Sequence, residues 1–283
     1  MTAGLPPRVT QLIDIALDED LGNGDVTARL TVPPSHQSRG RAVAKQPLVV
    51  SGEDVFELVM NRVDPSISIS LKMQASQFVK PGEVIMEVVG PTRSLLAAER
   101  VALNFLQRLS GVATLTRAYA DRIPKGLSTV VTDTRKTSPG MRFLERRAVV
   151  HGGGRNHRSD LGGGILIKEN HIAASGSITA AVTACIKGAP HPLRAEVEVR
   201  NLKELDEALA AGATAVLLDN MSMADLKAAV KRTEGTGVIL EASGGVTLDT
   251  AAEIAASGVH IISVGALTHS YPAADISFLI EGT

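Results

Sequence analysis

The sequence predicts an α/β protein in two parts, an α+β region with antiparallel strands followed by an incomplete (β/α) barrel. Three observations carry that prediction. In the second half, "AEVEV", "AVLLD", "VILEA" and "HIISVG" end near Glu198, Asp219, Ala242 and Val264, at intervals of 21, 23 and 22 residues. Each interval suits a strand, a helix and two short loops, the repeat of a parallel barrel. Residues 39–92 have a different texture, in which "ISISLKM" alternates strictly, "VKPGEV" is a turn and "VIMEVVG" is another strand. Between the two, a helical pattern runs from Ser94 to about Ile123, interrupted at "LSGVAT", and reads as the passage between domains.

The elements follow in order. Val9, Leu12, Ile13, Ala16 and Leu17 recur at helical spacing, predicting an amphipathic helix over 8–20 that ends in "DEDLGNGD". A helix over 53–63 precedes the alternating strands. Past the long helix, "STVVTD" and "ILIK" bring the legible barrel strands to about six, short of a closed eight. A doubly wound sheet is the competing architecture, but its dinucleotide fingerprint with an acidic partner is missing. The tail "THSYPAADISFLI" is read as a helix or strand returning to the first domain.

Composition narrows the function classes. A chain of 283 residues can bury a sizeable core, as one large barrel or two domains. Lys+Arg 29 against Asp+Glu 30 leaves no nucleic-acid footprint. With no Trp, and Tyr119 and Tyr271 the only tyrosines, a base-stacking platform is also disfavoured. The single Cys185 excludes an intramolecular disulfide and a multi-cysteine zinc site, fits a reducing compartment, and reads as a buried small hydrophobe on a helix. "MTAGLPPRVTQ" has no apolar core of signal-peptide length, and no apolar run approaches the roughly 18 residues of a membrane span. A soluble, cytoplasmic protein is expected.

In such barrels the chemistry gathers at the C-terminal ends of the strands. "STVVTD" is followed by "TRKTSPGMR", offering Thr134, Arg135 and Lys136. "NHR" offers His157 and Arg158 ahead of "ILIK", which ends at Lys168. "AEVEV" and "AVLLD" end at Glu198 and Asp219. Cations come first, carboxylates next and small residues last, an order that implies a polyanionic ligand. Lone Arg and Lys residues are ordinarily solvated surface, but Lys168 directly continues the apolar "ILI". Glu196 and Glu198 share one face of their strand. If that face lines the barrel, both carboxylates need cations or a metal, while for Glu196 a structural ion pair stays open. "ASGGVT" and "SVGALT" follow the last two strands, and glycine-rich loops there bind phosphate in many barrels. The glycine triplets of "HGGGRNHRSDLGGGILIKENH" lie earlier, where they let the backbone turn tightly so that His157, Arg158 and Lys168 converge.

These residues resemble the quinolinate phosphoribosyltransferase family. The matching stretches are "EDLGNGDVT", "AERVALNFLQRLSGVAT", "TDTRKTSPGMR", "GGGRNHR", "LIKENHI", "EVEV", "LLDNM", "EASGG" and "SVGALTH", in the family's order over almost the whole chain. The resemblance implies an N-terminal α/β sandwich over 1–110 and an open α/β barrel over 111–268, with the tail 269–283 packed back on the sandwich. It implies a homodimer with shared active sites, a hexamer remaining open, while the composition already argues for no nucleic acid or membrane partner. The implied reaction joins quinolinate to phosphoribosyl pyrophosphate, giving nicotinate mononucleotide, pyrophosphate and CO2 for NAD synthesis. Arg135, His157 and Arg158 would hold the dicarboxylate, with Arg100 reaching in from the neighbouring subunit. Lys136 and Lys168 would contact carboxylates or phosphates, which of the two staying open. Glu198 and Asp219 would bind the ribose hydroxyls and Mg2+. The 5′-phosphate would rest on Ser243, Gly244 and Gly245 and on Val264, Gly265 and Ala266. No organic cofactor is implied. The chain departs from the family pattern at Gly162–Gly164 and in "KENH", where "KDNH" is commoner, which bears on the rigidity of that loop. Two rivals remain: a phosphoribosyltransferase of the same fold acting on another ring acid, and a non-catalytic phosphometabolite-binding barrel.

Overall fold

The computed structural model describes residues 5–282. The first four residues of the stretch read above for a targeting signal lie outside the described residues. The chain forms two compact units, one of Met1–Leu115, Ser138–Gly153 and Tyr271–Thr283, the other of Thr116–Thr137 and Gly154–Ser270. In chain order the elements are α1 (Pro7–Leu21), α2 (Val26–Thr31), β1 (Gln37–Ala44), β2 (Leu48–Val49), α3 (Glu53–Val63), β3 (Ser68–Leu71), β4 (Phe78–Val79), β5 (Val84–Pro91) and α4 (Thr92–Ala120). There follow β6 (Val130–Thr132), α5 (Arg142–His151), β7 (Ile165–Ile167), α6 (Glu169–Ser175), α7 (Ile178–Gly188), β8 (Ala195–Val199) and α8 (Leu202–Ala210). The chain closes with β9 (Ala215–Asp219), α9 (Met223–Thr233), β10 (Ile239–Ser243), α10 (Ala251–Ala256), β11 (Ile261–Ser263), α11 (Ala266–His269) and β12 (Ile276–Gly282). Among the described residues no helix is long and apolar enough to cross a membrane.

The first unit is built on an antiparallel sheet ordered β12-β1-β5-β3, with β2 and β4 pairing separately. Its buried positions follow the two periodicities of the sequence. α1 buries Val9, Ile13 and Leu17, α3 buries Val55, Phe56, Val59 and Met60, and β1 alternates buried with more exposed residues. The tail forms β12, antiparallel to β1, and its Phe278 ring lies 6.2 Å from that of Phe56.

The structure corrects the sequence reading in three places. α4 runs unbroken through "LSGVAT". Gly111 there is a packing position, because a Cβ would lie 2.2 Å from the Pro272 carbonyl oxygen. Residues 138–153, expected within the barrel, cluster instead with the first unit. A fully buried carboxylate holds them there: Glu145 accepts from Arg108 at 3.3 Å, from the Tyr271 hydroxyl at 3.4 Å and from the Ser138 N–H at 3.0 Å. His151 adds a 2.8 Å hydrogen bond to Ser51 Oγ. Cys185 on α7 is half-buried rather than buried.

The second unit is a six-stranded parallel sheet ordered β6-β11-β10-β9-β8-β7. First and last strands are neighbours, as in a barrel, and the sheet stays open between its edges β6 and β7. Central strands read as continuous apolar runs because both faces are covered: β9 is buried at Ala215, Val216, Leu217 and Leu218. Helix starts are capped by side chains, Ser177 on Ala180 N–H, Asn201 on Glu204 N–H and Ser222 on Asp225 N–H.

Candidate active site

All proposed site residues except Arg100 lie in the second unit. Arg100 is exposed on α4 in the first. Most of the others sit where strands end, whereas His157 and Arg158 lie on the segment between α5 and β7. Lys168 follows β7, Glu198 is the penultimate residue of β8 and Asp219 the last of β9. In the parallel register Glu198 stands beside Leu217, and Asp219 beside Ser243. Neighbouring strand ends thus carry Lys168, Glu198, Asp219 and the Ser243 loop in sequence.

Lys168 Nζ donates to Glu198 Oε2 at 2.8 Å. Its backbone is set by His171, whose Nδ1 accepts the Lys168 N–H at 2.9 Å. That gives the "KENH" histidine a role the sequence reading had not assigned. The pair is about half exposed on the lysine side, so solvent screens it and it adds little to stability. Its value lies in holding one cation and one carboxylate together at the mouth.

The segment 154–164 lies against the open edge. Arg155 N–H donates to the Val131 carbonyl at 2.8 Å, and the His157 N–H to the Asp133 carboxylate at 2.8 Å. Asp133 is fully buried, so an acceptor oxygen at the end of β6 fixes the backbone that carries the two predicted ligands. Arg158 Nη1 donates to the Gly164 carbonyl at 3.0 Å. A Cβ on Gly164 would sit 3.2 Å from Arg158 Cβ, and one on Gly163 2.9 Å from Ser159 Oγ. The second glycine triplet therefore permits close packing of the loop on itself, whereas in the first triplet Gly153 takes φ +91°.

Burial lowers the Arg158 pKa, and the Arg135 guanidinium lowers it further. The two guanidinium groups are near enough to repel, and the Glu196 and Asp160 carboxylates offset part of that repulsion. Lys136 comes from the other side: its carbonyl accepts from Thr268 Oγ at 2.8 Å, and a Cβ on Gly265 would lie 3.1 Å from Lys136 Cδ. Thr134 Oγ accepts the Lys136 N–H at 3.1 Å.

Below the mouth a cavity of about 520 Å3 is walled by Thr132, His157, Arg158, Glu196, Ile239 and Glu241. His157 Nε2 lies 3.1 Å from Glu196 Oε2 and 3.7 Å from Glu241 Oε2. Glu241 is not marked out by the sequence, in which the glycines are the visible feature of "EASGG". It is 1 % exposed, and burial, with the Glu196 charge behind it, pushes its pKa up to about 7. The folded protein therefore keeps this proton where the unfolded chain has lost it. The resulting stability is full below about pH 4.5 and falls as pH rises towards 7. Thermal melts of wild type and Glu241→Gln should show the difference shifting in the variant's favour from pH 5 to pH 8.

Asn220 is another residue that sequence reasoning left without a role. It takes φ +52°, which asparagine tolerates. Its Nδ2 donates to Asp219 Oδ2 at 3.1 Å, and its N–H to the Ser243 carbonyl at 2.8 Å. Gly244, at φ +89°, packs so tightly on the Asn220 amide that a Cβ would lie 2.3 Å from Oδ1. Asn220 thus ties the Asp219 carboxylate to the "SGG" loop. Beside it, a recess of about 190 Å3 is lined by Met221, Ser243, Gly244, Gly245 and Thr250. Val264 is buried at the end of β11, with Gly265 and Ala266 starting α11.

Comparison with known proteins decides what this arrangement belongs to. Residues 25–110 match the family model for the quinolinate phosphoribosyl transferase N-terminal domain, and residues 112–279 that for its C-terminal domain. The chain belongs to the quinolinate phosphoribosyltransferase family. A probable nicotinate-nucleotide pyrophosphorylase [carboxylating] of Bacillus subtilis (strain 168) is 40% identical, over 95% of this chain and 92% of its own. The nicotinate-nucleotide pyrophosphorylase [carboxylating] of Mycobacterium leprae (strain TN) is 41% identical, over 92% and 93%. The solved nicotinate-nucleotide pyrophosphorylase of Francisella tularensis superposes with a TM-score of 0.92 at 39% identity, covering 99% of both chains. The protein is thus an enzyme of the phosphoribosyltransferase class. As a quinolinate phosphoribosyltransferase family member it carries two oxygen-only donors, Glu198 and Asp219, on neighbouring strands, a set that suits Mg2+, which takes few protein ligands and keeps its waters.

Proposed function

We propose that this protein condenses quinolinate with phosphoribosyl pyrophosphate to nicotinate mononucleotide, pyrophosphate and CO2. The observation that carries the reading is the approach of Arg135 to a half-buried Arg158, which hydrogen bonds to His157 Nδ1 and the Gly164 carbonyl hold in place and whose pKa the second guanidinium helps to lower. Such a pair is matched by a ligand with two adjacent carboxylates, each taken by a planar fork of donors. Lys168, already held by Glu198, flanks the same mouth.

In this reading Arg135 and Arg158 grip the ring carboxylates, and Lys136 and Lys168 face the reacting anions. The 5′-phosphate lies on the backbone amides of Ser243, Gly244 and Gly245 and of Val264, Gly265 and Ala266. Glu198 and Asp219 hold the ribose hydroxyls and Mg2+, which when bound offsets the charge of pyrophosphate. The pyridine nitrogen donates its electron pair to ribose C1 as the C1–oxygen bond breaks and its pair leaves with pyrophosphate. The ring nitrogen is now cationic and stabilises the electron pair left at C2 when CO2 departs; a proton then completes C2. Alignment and preorganised charge supply the catalysis. Arg100 comes from the second subunit of a homodimer, and the enzyme works in the cytoplasm.

A spectrophotometric assay with Mg2+, phosphoribosyl pyrophosphate and either quinolinate or nicotinate tests the reading. Turnover of quinolinate but not nicotinate is expected. No nicotinate mononucleotide from quinolinate would refute it, and turnover of nicotinate alone would assign a monocarboxylate acceptor.

A further inference from the structure

Beneath the clamp the structure holds three groups in a closed polar chain. His157, Glu196 and Glu241 bring one potential ligand atom each within 4.8 Å of one another, and Glu241 Oε1 has no hydrogen-bond partner among the described residues. On spacing alone this trio fits a divalent cation. The imidazole argues otherwise. His157 Nδ1 accepts the Arg158 backbone N–H at 2.7 Å, so in the neutral ring the proton sits on Nε2 and is donated to Glu196. A metal on Nε2 would move that proton to Nδ1, where it would oppose the Arg158 N–H. Metal-bound histidines instead donate from their second nitrogen to an acceptor. The same geometry gives each ring nitrogen a protein partner.

We propose that Glu196 is a positioning residue, which holds the His157 ring so that its Nδ1 fixes the peptide carrying the Arg158 guanidinium. The proposal deepens the dicarboxylate-clamp reading and rests on it. Every link is local. Glu196 Oε2 takes the Nε2 proton, Nδ1 takes the Arg158 N–H, Asp133 takes the His157 N–H, and the Gly164 carbonyl takes Arg158 Nη1. Glu241 stands behind the ring as a second carboxylate, and the charged groups facing the trio are Arg158 and Lys168. Glu196 therefore acts on the substrate only through His157 and Arg158.

The test uses the full-length enzyme and its Glu196→Ala and Glu196→Gln variants. Glu196→Ala should raise KM for quinolinate at least about tenfold, leaving KM for phosphoribosyl pyrophosphate within about twofold. Glu196→Gln should recover most of the loss, because its amide oxygen still accepts the Nε2 proton. In 15N NMR of wild type at a pH above the raised His157 pKa, where the ring is neutral, His157 should show a protonated Nε2 and an unprotonated Nδ1, and this signature should be lost in Glu196→Ala. Equal losses towards both substrates, or no rescue by Gln, would overturn the proposal. So would broadening of the His157 resonances by Mn2+ in wild type but not in Glu241→Gln, which would mark a cation site. The NMR result does not depend on turnover. An enzyme inactive on quinolinate with the expected tautomer would refute the substrate and leave the positioning chain standing.

Discussion

Replacing Arg158 with alanine should lower kcat/KM for quinolinate by about two to three orders of magnitude, while KM for phosphoribosyl pyrophosphate changes little. The size follows from truncating one partner of a desolvated, hydrogen-bonded charge pair, which costs about 2–5 kcal/mol. Arg158 is half-buried and set at its backbone and its guanidinium, so no neighbouring side chain replaces its fork. Lysine should not rescue it, since a point charge cannot bind a carboxylate bidentately at the same place. The unliganded variant should melt close to wild type, because removing Arg158 removes the repulsion with Arg135 together with the attraction to Glu196 and Asp160. Steady-state kinetics with each substrate varied in turn, beside thermal melts, check both halves. A fall confined to the phosphoribosyl pyrophosphate KM would place Arg158 on phosphate instead.

The barrel was legible because its strands are buried on both faces and recur at near-constant intervals, with candidate site residues at their ends. Lys168, Glu198 and Asp219 could be found from that rhythm alone, and the structure places them at consecutive strand ends. What periodicity could not show was polar burial. Residues 138–153 join the first unit through Glu145, a glutamate on an amphipathic helix with nothing in its local sequence to mark it as fully buried. The break expected in α4 at Gly111 is absent because the glycine is required by the approaching Pro272 carbonyl, a contact 161 residues away in sequence. Glu241 was hidden by the glycines beside it, and Asn220 by the aspartate before it. His157 shows the other limit. Its identity points to substrate, but the hydrogen bonds on its two nitrogens turn it towards Arg158 and Glu196.

Mixing inactive Arg100→Ala and Glu198→Ala proteins should restore about one quarter of wild-type activity. The expectation rests on the proposed homodimer with shared sites. Arg100 is exposed on α4 in the first unit, whereas Glu198 belongs to the second. If a site combines Glu198 of one chain with Arg100 of its partner subunit, each mixed dimer contains one intact site and one doubly damaged site. Random exchange of equal amounts makes about half of the dimers mixed, and so about a quarter of all sites intact. Each parent alone should be nearly inactive, for different reasons in the proposed site: Arg100→Ala would lose a carboxylate ligand, and Glu198→Ala the proposed metal and ribose ligand together with the partner of Lys168. The measurement is activity against time after mixing, with subunit exchange followed independently by mass spectrometry of differently tagged chains. Exchange without recovery would put Arg100 and Glu198 to work within one chain. Recovery tracking the mixed-dimer fraction would require the partner's arginine, and would explain why a cation so exposed in one chain belongs to the "AERVALN" pattern at all.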